Sequence, residues 1–225
     1  MKKVISFCLW GSNPRYTVGA IKNAQLANEI YPDWVCRFYI SKCVPMGIIN
    51  NLFMMNNTEL YIMNDPGDWN GMFWRFYAAS DPNVDVMISR DTDSRLTPRE
   101  KAAVDDWLAS DKDFHIMRDH PCHAAPIMGG MWGVRNGLLL DMSKSIREFP
   151  KEDRWQIDQD FLRENIWPRI ENHAYTHDEY FIFAGQKGNP FPIKREGGKD
   201  EGGYPVNFVG QVFNENDVDS RVWDI

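Results

Sequence analysis

The sequence of 225 residues is poor in cysteine. Its four cysteines, at positions 8, 36, 43 and 122, never form a C-x-x-C pair. They are too few and too widely spaced for the disulfide framework of a small secreted domain. We therefore expect reduced thiols and a cytoplasmic location.

Long hydrophobic runs are also missing. The start, Met1–Trp10, combines two lysines with a short apolar stretch and superficially imitates a signal peptide. The stretch stops at Gly11–Pro14 without a small-residue cleavage site, and no segment reaches the ~18 apolar residues of a spanning helix. We expect a buried first strand and no transmembrane segment.

An excess of positive charge is absent as well. Lysine and arginine number 25 against 32 aspartates and glutamates, which gives a net charge of −7 and an isoelectric point near 5.2. Such a chain lacks the dense basic face that wraps DNA or RNA, so we expect no nucleic-acid partner. Because 43% of its residues are hydrophobic, it can bury a sizeable core.

Strand-like and helix-like segments alternate over the first 120 residues. The predicted strands are Val4–Trp10, Val35–Ile40, Leu60–Met63, Val84–Ser89 and Phe114–Met117. The predicted helices are a segment from Pro14 to Tyr31, Met46–Met55, Met72–Ala79 and a segment that begins at the Thr97–Glu100 capping box. This alternation predicts an α/β fold with a mostly parallel sheet covered by helices.

The second half of the chain is less regular. We predict a glycine-broken loop over Met128–Gly133, a helix over Arg154–Trp167 that Pro168 closes, and a final strand over Phe208–Phe213. Because no repeat or long linker divides the sequence, we expect a single domain over residues 1–225.

Two aspartates, Asp91 and Asp93, directly follow the apolar strand that ends at Ser89. On an extended backbone residues i and i+2 face the same side, so both carboxylates can converge on one hard divalent cation. The other Asp-x-Asp pairs, at 111–113, 158–160 and 217–219, lack an apolar strand before them. From the residues alone two interpretations stay open, a metal site or a solvated acidic pair that caps a turn.

Several further stretches, in order along the chain, carry a family resemblance. They are 13–17 (NPRYT), 29–32 (EIYP), 72–76 (MFWRF), 88–95 (ISRDTDSR), 115–121 (HIMRDHP), 126–133 (PIMGGMWG), 158–162 (DQDFL) and 208–211 (FVGQ). With them the chain resembles nucleotide-sugar-dependent glycosyltransferases of the GT-A type, in particular small bacterial and large-DNA-virus ones. The resemblance implies one GT-A-like domain, with a nucleotide-sugar-binding half over 1–120 and an acceptor-side half over 121–225.

The resemblance also implies roles for residues of the first half. Asp91 and Asp93 would hold Mn²⁺ or Mg²⁺ against the diphosphate of the donor. The metal would neutralise charge on the departing nucleoside diphosphate, UDP or GDP, and Asp91 would also touch the donor. The base would lie near Leu9, Gly11 and Tyr16, although Tyr16 could instead be a partly buried aromatic of the first helix.

Arg75 lies among large apolar neighbours on the helix before the aspartate pair. Burying a guanidinium is costly unless it is paired, so we expect an aspartate or a phosphate close to it. The resemblance implies that this arginine faces the sugar nucleotide. The alternative is a surface arginine that lies over its aromatic neighbours.

Three further residues of the second half are candidates. Gly129 and Gly130 could let the backbone approach the transferred sugar, or form an ordinary tight turn. In GT-A enzymes a late histidine often completes the metal shell, and His177 is the candidate here, with a solvent-facing loop histidine as the alternative.

Asp158 is the candidate catalytic carboxylate. At about 100° per residue, one arc of the predicted 154–167 helix contains the apolar residues Trp155, Ile157, Phe161, Leu162 and Ile166. Asp158 lies near the middle of this arc, whereas Asp160 points to the opposite side. Asp158 would orient the acceptor hydroxyl as a base or stabilise charge at the sugar. The alternative is a buried carboxylate that bonds to backbone amides or to an arginine.

The leading hypothesis is therefore a metal-dependent hexosyltransferase of glycan biosynthesis that moves a sugar from a nucleoside-diphosphate sugar to a glycan or glycoconjugate acceptor. One alternative is a Mg²⁺-dependent phosphohydrolase with Asp91 as nucleophile and Asp93 as acid/base. The other is a catalytically inactive GT-A module that binds glycans.

Overall fold

A computed structural model describes residues 1–135 and 137–220. Its central sheet contains β1 (Lys3–Leu9), β2 (Trp34–Ser41), β3 (Thr58–Met63), β4 (Val86–Ser89), β5 (Phe114–Arg118), β6 (Trp132–Arg135) and β7 (Ala174–Asp178). The strand order is β3-β2-β1-β4-β6-β5-β7. Neighbouring strands run parallel except at β6, which is antiparallel to both β4 and β5. The mixed, mostly parallel α/β architecture predicted from the sequence is confirmed.

Helices connect the strands. They are α1 (Pro14–Ile30), α2 (Met46–Phe53), a 3₁₀ segment (Trp69–Ser80), α3 (Pro98–Ala109), α4 (Met142–Glu148), α5 (Ile157–Phe161), a π segment (Leu162–Ile166) and α6 (Trp167–Ile170). A two-stranded ribbon, β8 (Ile182–Phe183) with β9 (Gln186–Lys187), lies outside the main sheet. Over residues 1–135 and 137–220, none of the helices has the length and apolar character needed to cross a bilayer.

The starts of α1 and α3 follow from their sequences. The Asn13 side chain accepts a hydrogen bond from the amide of Arg15 at 3.0 Å, and the Thr97 hydroxyl accepts one from the amide of Glu100 at 3.1 Å. In both helices a proline occupies the first turn, where its missing N–H costs nothing. Both predicted helix starts are confirmed.

Two hydrophobic cores lie on opposite faces of the sheet, and β1 contributes to both. Val4 and Cys8 belong to the core built with the 3₁₀ segment and α5, whereas Ile5 and Leu9 belong to the core built with α1 and α3. This division follows from the alternation of side chains along a strand. Because β1 and β4 are parallel neighbours covered on both faces, their carboxyl ends meet at one accessible edge.

The predicted helix over residues 154–167 is wrong at both ends. Helical structure begins only at Ile157, because Gln156 adopts a left-handed backbone conformation with φ of 65°. Pro168 does not close the helix, which continues to Ile170 after the π segment. Proline is tolerated there because the preceding π segment already interrupts the regular i to i−4 hydrogen-bond ladder.

Three loop and strand assignments also differ from prediction. Residues 208–213 form turns and, through Phe213 and Asp219, an isolated bridge in place of a final strand. The predicted glycine-broken loop at 128–133 runs into β6, which begins at Trp132. His177 lies in β7 rather than in a loop, because strand β5 supplies a hydrogen-bonded neighbour from distant sequence.

Candidate active site

A cleft of about 1000 Å³ opens at the carboxyl ends of β1 and β4. The predicted site residues that line it are Leu9, Gly11, Tyr16, Arg75, Asp91, Asp93, Gly129, Gly130 and Asp158. These residues are spread over about 150 positions of sequence and come from six separate segments of the chain. The fold therefore brings together every predicted site residue except His177.

Asp91 and Asp93 lie in the loop between β4 and α3, which faces the cleft. The loop is held from below by α1, where the Asn23 side chain donates to the carbonyls of Thr92 and Ser94 at 3.2 and 2.8 Å. Gly19 allows this close approach, because a Cβ atom there would overlap the carbonyl oxygen of Thr92. Neither Gly19 nor Asn23 was predicted, since a small or amide residue in a helix gives no signal of its partner.

Residues 213–217 contact the same loop from the other side. The amide of Phe213 donates to the carbonyl of Asp93 at 2.8 Å, and Arg95 Nε lies 2.9 Å from Asp217 Oδ1. Asp217 also pairs with Lys22 at 2.5 Å. Asp217, the first carboxylate of the competing Asp217–Asp219 motif, is thus paired with Arg95 and Lys22.

The two aspartates of the loop differ in their surroundings. The side chain of Asp91 is 41% exposed, while burial and the neighbouring charge of Asp91 raise the pKa of Asp93 to about 7. Two close carboxylates repel each other when both are ionised, and a cation between them would relieve that repulsion. The electrostatics of the pair therefore favour a bound cation.

Arg75 is buried and connects two carboxylates. Its Nη1 donates to Asp91 Oδ1, and its Nη2 donates to Asp158 Oδ2 at 2.6 Å. The expected aspartate partner of this buried guanidinium is present, and there are two. The surface-arginine interpretation is wrong, since the side chain is 5% exposed. Arg75 comes from the 3₁₀ segment, whose aromatic residues Phe73 and Phe76 anchor it in the core.

Gly129 and Gly130 pack against the side chains of Arg75, Asp91 and Asp158. A Cβ atom at Gly129 would overlap Arg75 Nη2 and lie 2.5 Å from Asp158 Oδ2, and one at Gly130 would overlap Asp91 Oδ2. The Gly129 carbonyl also accepts a hydrogen bond from Ser89 at 2.6 Å. The absence of side chains at these two positions is what allows the carboxylates to reach the cleft.

Asp158 is buried in the first turn of α5, with its side chain 2% exposed. Burial raises its pKa, and the charge and hydrogen bond of Arg75 act in the opposite direction. Asp160, predicted to point to the opposite side of the helix from Asp158, also borders the cleft, and its side chain is 17% exposed. It pairs there with Arg154 and, at 2.6 Å, with Arg163.

The three residues expected near the nucleobase of the donor differ in the groups that they present to the cleft. Leu9 is almost wholly buried in the core, so it presents mainly backbone. Gly11 has φ of +70°, and its amide donates to the Cys43 sulfur at 3.1 Å. Tyr16 is partly buried, and burial together with the charge of Asp93 raises its pKa.

His177 lies apart from the other predicted residues. It is buried in β7, three strands from β4 and so about 14 Å away at the usual strand spacing. Its Nδ1 lies 2.9 Å from His115 Nε2, and its Nε2 lies 3.2 Å from Asp106 Oδ2. The alternative of a solvent-facing loop histidine is wrong, because the ring is fully buried.

The cleft also contains residues that were not predicted. Among them are Trp69, His120, His123, Trp155, Gln156 and Phe208. Trp155 was expected in the buried arc of a helix, but the left-handed conformation of Gln156 places it before the helix, where it is 58% exposed. The weak signal was the Asp-Arg-Trp-Gln run, which has no apolar periodicity of its own.

No protein-family model matches this chain, and no curated protein matches its sequence. Its structure is similar to that of a glycosyltransferase involved in the glycosylation of the major capsid of PBCV-1, with a TM-score of 0.52 and 16% identity over 79% of this chain and 82% of the other. This chain has a GT-A-like fold.

A second solved structure has a similar fold and belongs to an enzyme with a different activity. It is the 4-diphosphocytidyl-2C-methyl-D-erythritol synthase from Anaerococcus prevotii, with a TM-score of 0.50 and 13% identity over 83% of this chain and 93% of the other. At these identities the shared feature is the GT-A-like fold. In this chain the cleft lies where such a fold places ligands, beyond the carboxyl ends of parallel strands.

Proposed function

We propose that this chain is a metal-dependent glycosyltransferase that transfers a sugar, as a hexosyltransferase, from a nucleoside-diphosphate sugar to a glycan or glycoconjugate acceptor. The observation that carries the proposal is the continuous contact from Asp91 through Arg75 to Asp158 in one ligand-sized cleft. Through Arg75, the proposed metal-binding carboxylate of Asp91 is connected to the carboxylate of Asp158, which lies on α5 outside the loop. The GT-A-like fold supports the same reaction class.

Asp91 and Asp93 would hold Mn²⁺ or Mg²⁺. The donor set fits, since hard divalent ions prefer carboxylate oxygens. Burial and, after it, the charge of Asp91 raise the pKa of Asp93, and a cation bound between the two carboxylates would act in the opposite direction. Among residues 1–135 and 137–220, no group of three or more His, Cys, Asp or Glu lies together in a way that could hold a metal. The remaining ligands would therefore come from the diphosphate and from water, and His177 as a ligand would need a different arrangement of the chain.

The metal would supply charge neutralisation to the leaving diphosphate, so that no protein acid is needed at the leaving group. Residues 1–120 would form the nucleotide-sugar-binding half, with Gly11, Tyr16 and the backbone of Leu9 next to the base. Gly129 and Gly130 would let the transferred sugar approach the backbone closely. Residues 121–225 would form the acceptor-side half.

Asp158 would act on the reacting groups. As a base it would accept the proton of the acceptor hydroxyl, and as an anion it would stabilise positive charge that develops at the sugar. Arg75 would hold its carboxylate in place. Burial raises the pKa of Asp158 and so strengthens it as a base.

The phosphohydrolase alternative uses the same two loop aspartates in other roles. Arg75 donates to Oδ1 of Asp91 and leaves Oδ2 without that contact, so the experiment below, and not this geometry, separates a nucleophile from a metal ligand. The inactive glycan-binding module would keep the cleft and lack turnover. Both alternatives are separated from the transferase by the following experiment.

The experiment is a thermal-shift measurement followed by a turnover assay. We expect UDP or GDP with Mn²⁺ to raise the melting temperature, whereas sugar phosphates with Mg²⁺ leave it unchanged. A panel of UDP- and GDP-sugars, scored by donor hydrolysis, then identifies the donor. Stabilisation only by sugar phosphates would favour the phosphohydrolase, and nucleotide binding without hydrolysis or transfer would favour the inactive module.

A further inference from the structure

Two tryptophans on the wall of the cleft are exposed to solvent. Trp155 is 58% and Trp69 is 39% exposed, and no other tryptophan among residues 1–135 and 137–220 is exposed. Both line the cleft, and their segments touch, since the Trp69 amide donates to Asp153 Oδ1 at 3.4 Å. Exposed indoles grouped in a concave site mark a surface that binds a ligand.

The two rings stand on firmly packed backbone. Trp69 opens the 3₁₀ segment, whose Phe73 lies 5.5 Å, between ring centroids, from Phe161 of α5. Trp155 lies two residues before the buried Ile157. Core packing thus fixes the segments that carry the indoles while leaving the rings in water.

Two amide side chains lie beside these rings. Gln156 and Gln159 line the cleft, and within the described part of the chain no hydrogen bond engages either side-chain amide. Each amide offers one acceptor and two donor hydrogens, which matches sugar hydroxyl groups that both donate and accept. Gln156 keeps a left-handed conformation at φ of 65°, which is costly for a residue with a Cβ atom and is typical of functional sites.

The charge of this wall is unfavourable for an anion. Asp68, Asp153 and Asp160 all line it, and Arg163 is the basic residue on the same wall. Arg163 is already paired with Asp160 at 2.6 Å. A phosphate or carboxylate here would face Asp68 and Asp153, which form no salt bridge among the described residues, whereas a neutral ligand would avoid this repulsion.

We infer that Trp69, Trp155, Gln156 and Gln159, here called the tryptophan rim, form the acceptor subsite and take an uncharged saccharide. The inference rests on the proposed function, which supplies the donor side of the cleft. A sugar ring presents a face of C–H groups that packs on the negative face of an indole, and its hydroxyls bond to the two amides. Asp158 lines the same cleft as the rim, so a sugar held there would lie in the same cavity as that carboxylate.

The test measures binding of defined sugars to the full chain by saturation-transfer NMR. The probes are the methyl glycosides of glucose, galactose and mannose, with glucuronate and glucose 6-phosphate as anionic counterparts. We expect binding of at least one neutral glycoside, about tenfold weaker in Trp155→Ala and partly retained in Trp155→Phe. Phe53→Ala, which removes an exposed aromatic of α2 outside the cleft, is the control and should bind like the parent.

Nucleotide binding is measured in the same variants by thermal shift with UDP or GDP and Mn²⁺. Unchanged nucleotide stabilisation in Trp155→Ala, with weaker sugar binding, supports the rim. Tighter binding of the anionic sugars, or equal affinity of Trp155→Ala and the parent, would overturn it even if nucleotide binding is intact. Sugar binding that depends on Trp155 in a chain that binds no nucleotide would keep the rim and overturn the proposed transfer.

Discussion

Arg75 Nη2 lies 2.6 Å from Asp158 Oδ2, and both side chains are buried. The arginine reaches the cleft from the 3₁₀ segment and the aspartate from α5, 83 residues later. The same guanidinium bonds Asp91 in the loop after β4. The planar guanidinium of Arg75 therefore links Asp91 and Asp158, the two carboxylates on which the proposed chemistry depends, and it limits the distance between them.

The first prediction concerns the loop aspartates. Asp91→Asn and Asp93→Asn should each abolish Mn²⁺-dependent nucleotide binding while the fold survives, because an amide is a much weaker ligand for a hard cation. Titration calorimetry with UDP or GDP and Mn²⁺ measures the loss, and circular dichroism checks the fold. The control is Asp111→Asn, in the exposed turn after α3. Full nucleotide binding in both loop variants would contradict the metal site.

The second prediction concerns Asp158 and Asp160, two residues apart on α5. Asp158→Asn should lose turnover by a factor of ~10²–10⁴ while nucleotide binding stays nearly intact. Asp160→Asn should behave like the parent, since its partners Arg154 and Arg163 are both exposed to solvent. Single-turnover kinetics with the identified donor is the measurement. Equal activity of the two variants would remove Asp158 from the mechanism.

The third prediction concerns Arg75. Arg75→Ala leaves the buried Asp158 without its charged partner, so we expect a loss of about 3–5 kcal/mol in the free energy of unfolding, together with weaker binding of the sugar nucleotide. Arg163→Ala, an exposed arginine of the same cleft, should change stability by less than ~0.5 kcal/mol. Urea unfolding and donor titration measure the two effects. If Arg75→Ala changed neither the free energy of unfolding nor donor binding, the ion pair would contribute to neither.

The fourth prediction uses the space around glycine. A methyl group at Gly130 overlaps Asp91 Oδ2, so Gly130→Ala should displace the carboxylate and weaken Mn²⁺ binding. Gly47→Ala is the control, because it lies in α2 with nothing within 4 Å of a Cβ atom. The control should be neutral or stabilising by about 0.5–1 kcal/mol. Metal titration should separate the two variants, and equal affinities would contradict the close contact between Gly130 and Asp91.

The fifth prediction concerns stability in acid. Burial lowers the pKa of His177, lowers that of His123 to about 3 and places that of His115 well below its ordinary value. Since histidine titrates near ~6.5 when unfolded, the unfolded chain binds more protons below that pH. The contribution of these neutral rings to the free energy of unfolding is fully present above pH ~6.5, and it is lost as the pH falls below that value.

His115 gives the sharpest test of this acid dependence. It is fully buried, and its ring stacks on Trp107 with 5.2 Å between centroids. His115→Phe keeps a ring and removes the proton site, so the loss of unfolding free energy below pH ~6.5 should be smaller by up to ~1.4 kcal/mol per pH unit. His173→Gln, at an exposed position, should leave the slope of the parent unchanged. An unaltered slope in His115→Phe would show that its proton is not linked to unfolding.

The order of strands and helices in the first half could be predicted because its signals are local. Apolar runs of strand length, the Asn13 and Thr97 caps and the prolines after them act within a few residues. The aspartate pair was also recognisable, since Asp91 and Asp93 follow an apolar strand directly. These features need no knowledge of which segments meet in space.

Tertiary structure decided the rest. Strands β6 and β7 are short, and they form because β5 lies between them and pairs with both, a contact that no periodicity within 128–133 or 174–178 encodes. Gln156 takes a left-handed conformation that breaks the expected helix and turns Trp155 into the cleft. The sequence by itself determined the α/β class and the candidate carboxylates. Only the fold decided that Arg75 joins them and that His177 lies apart, because both outcomes depend on contacts between residues far apart in the chain.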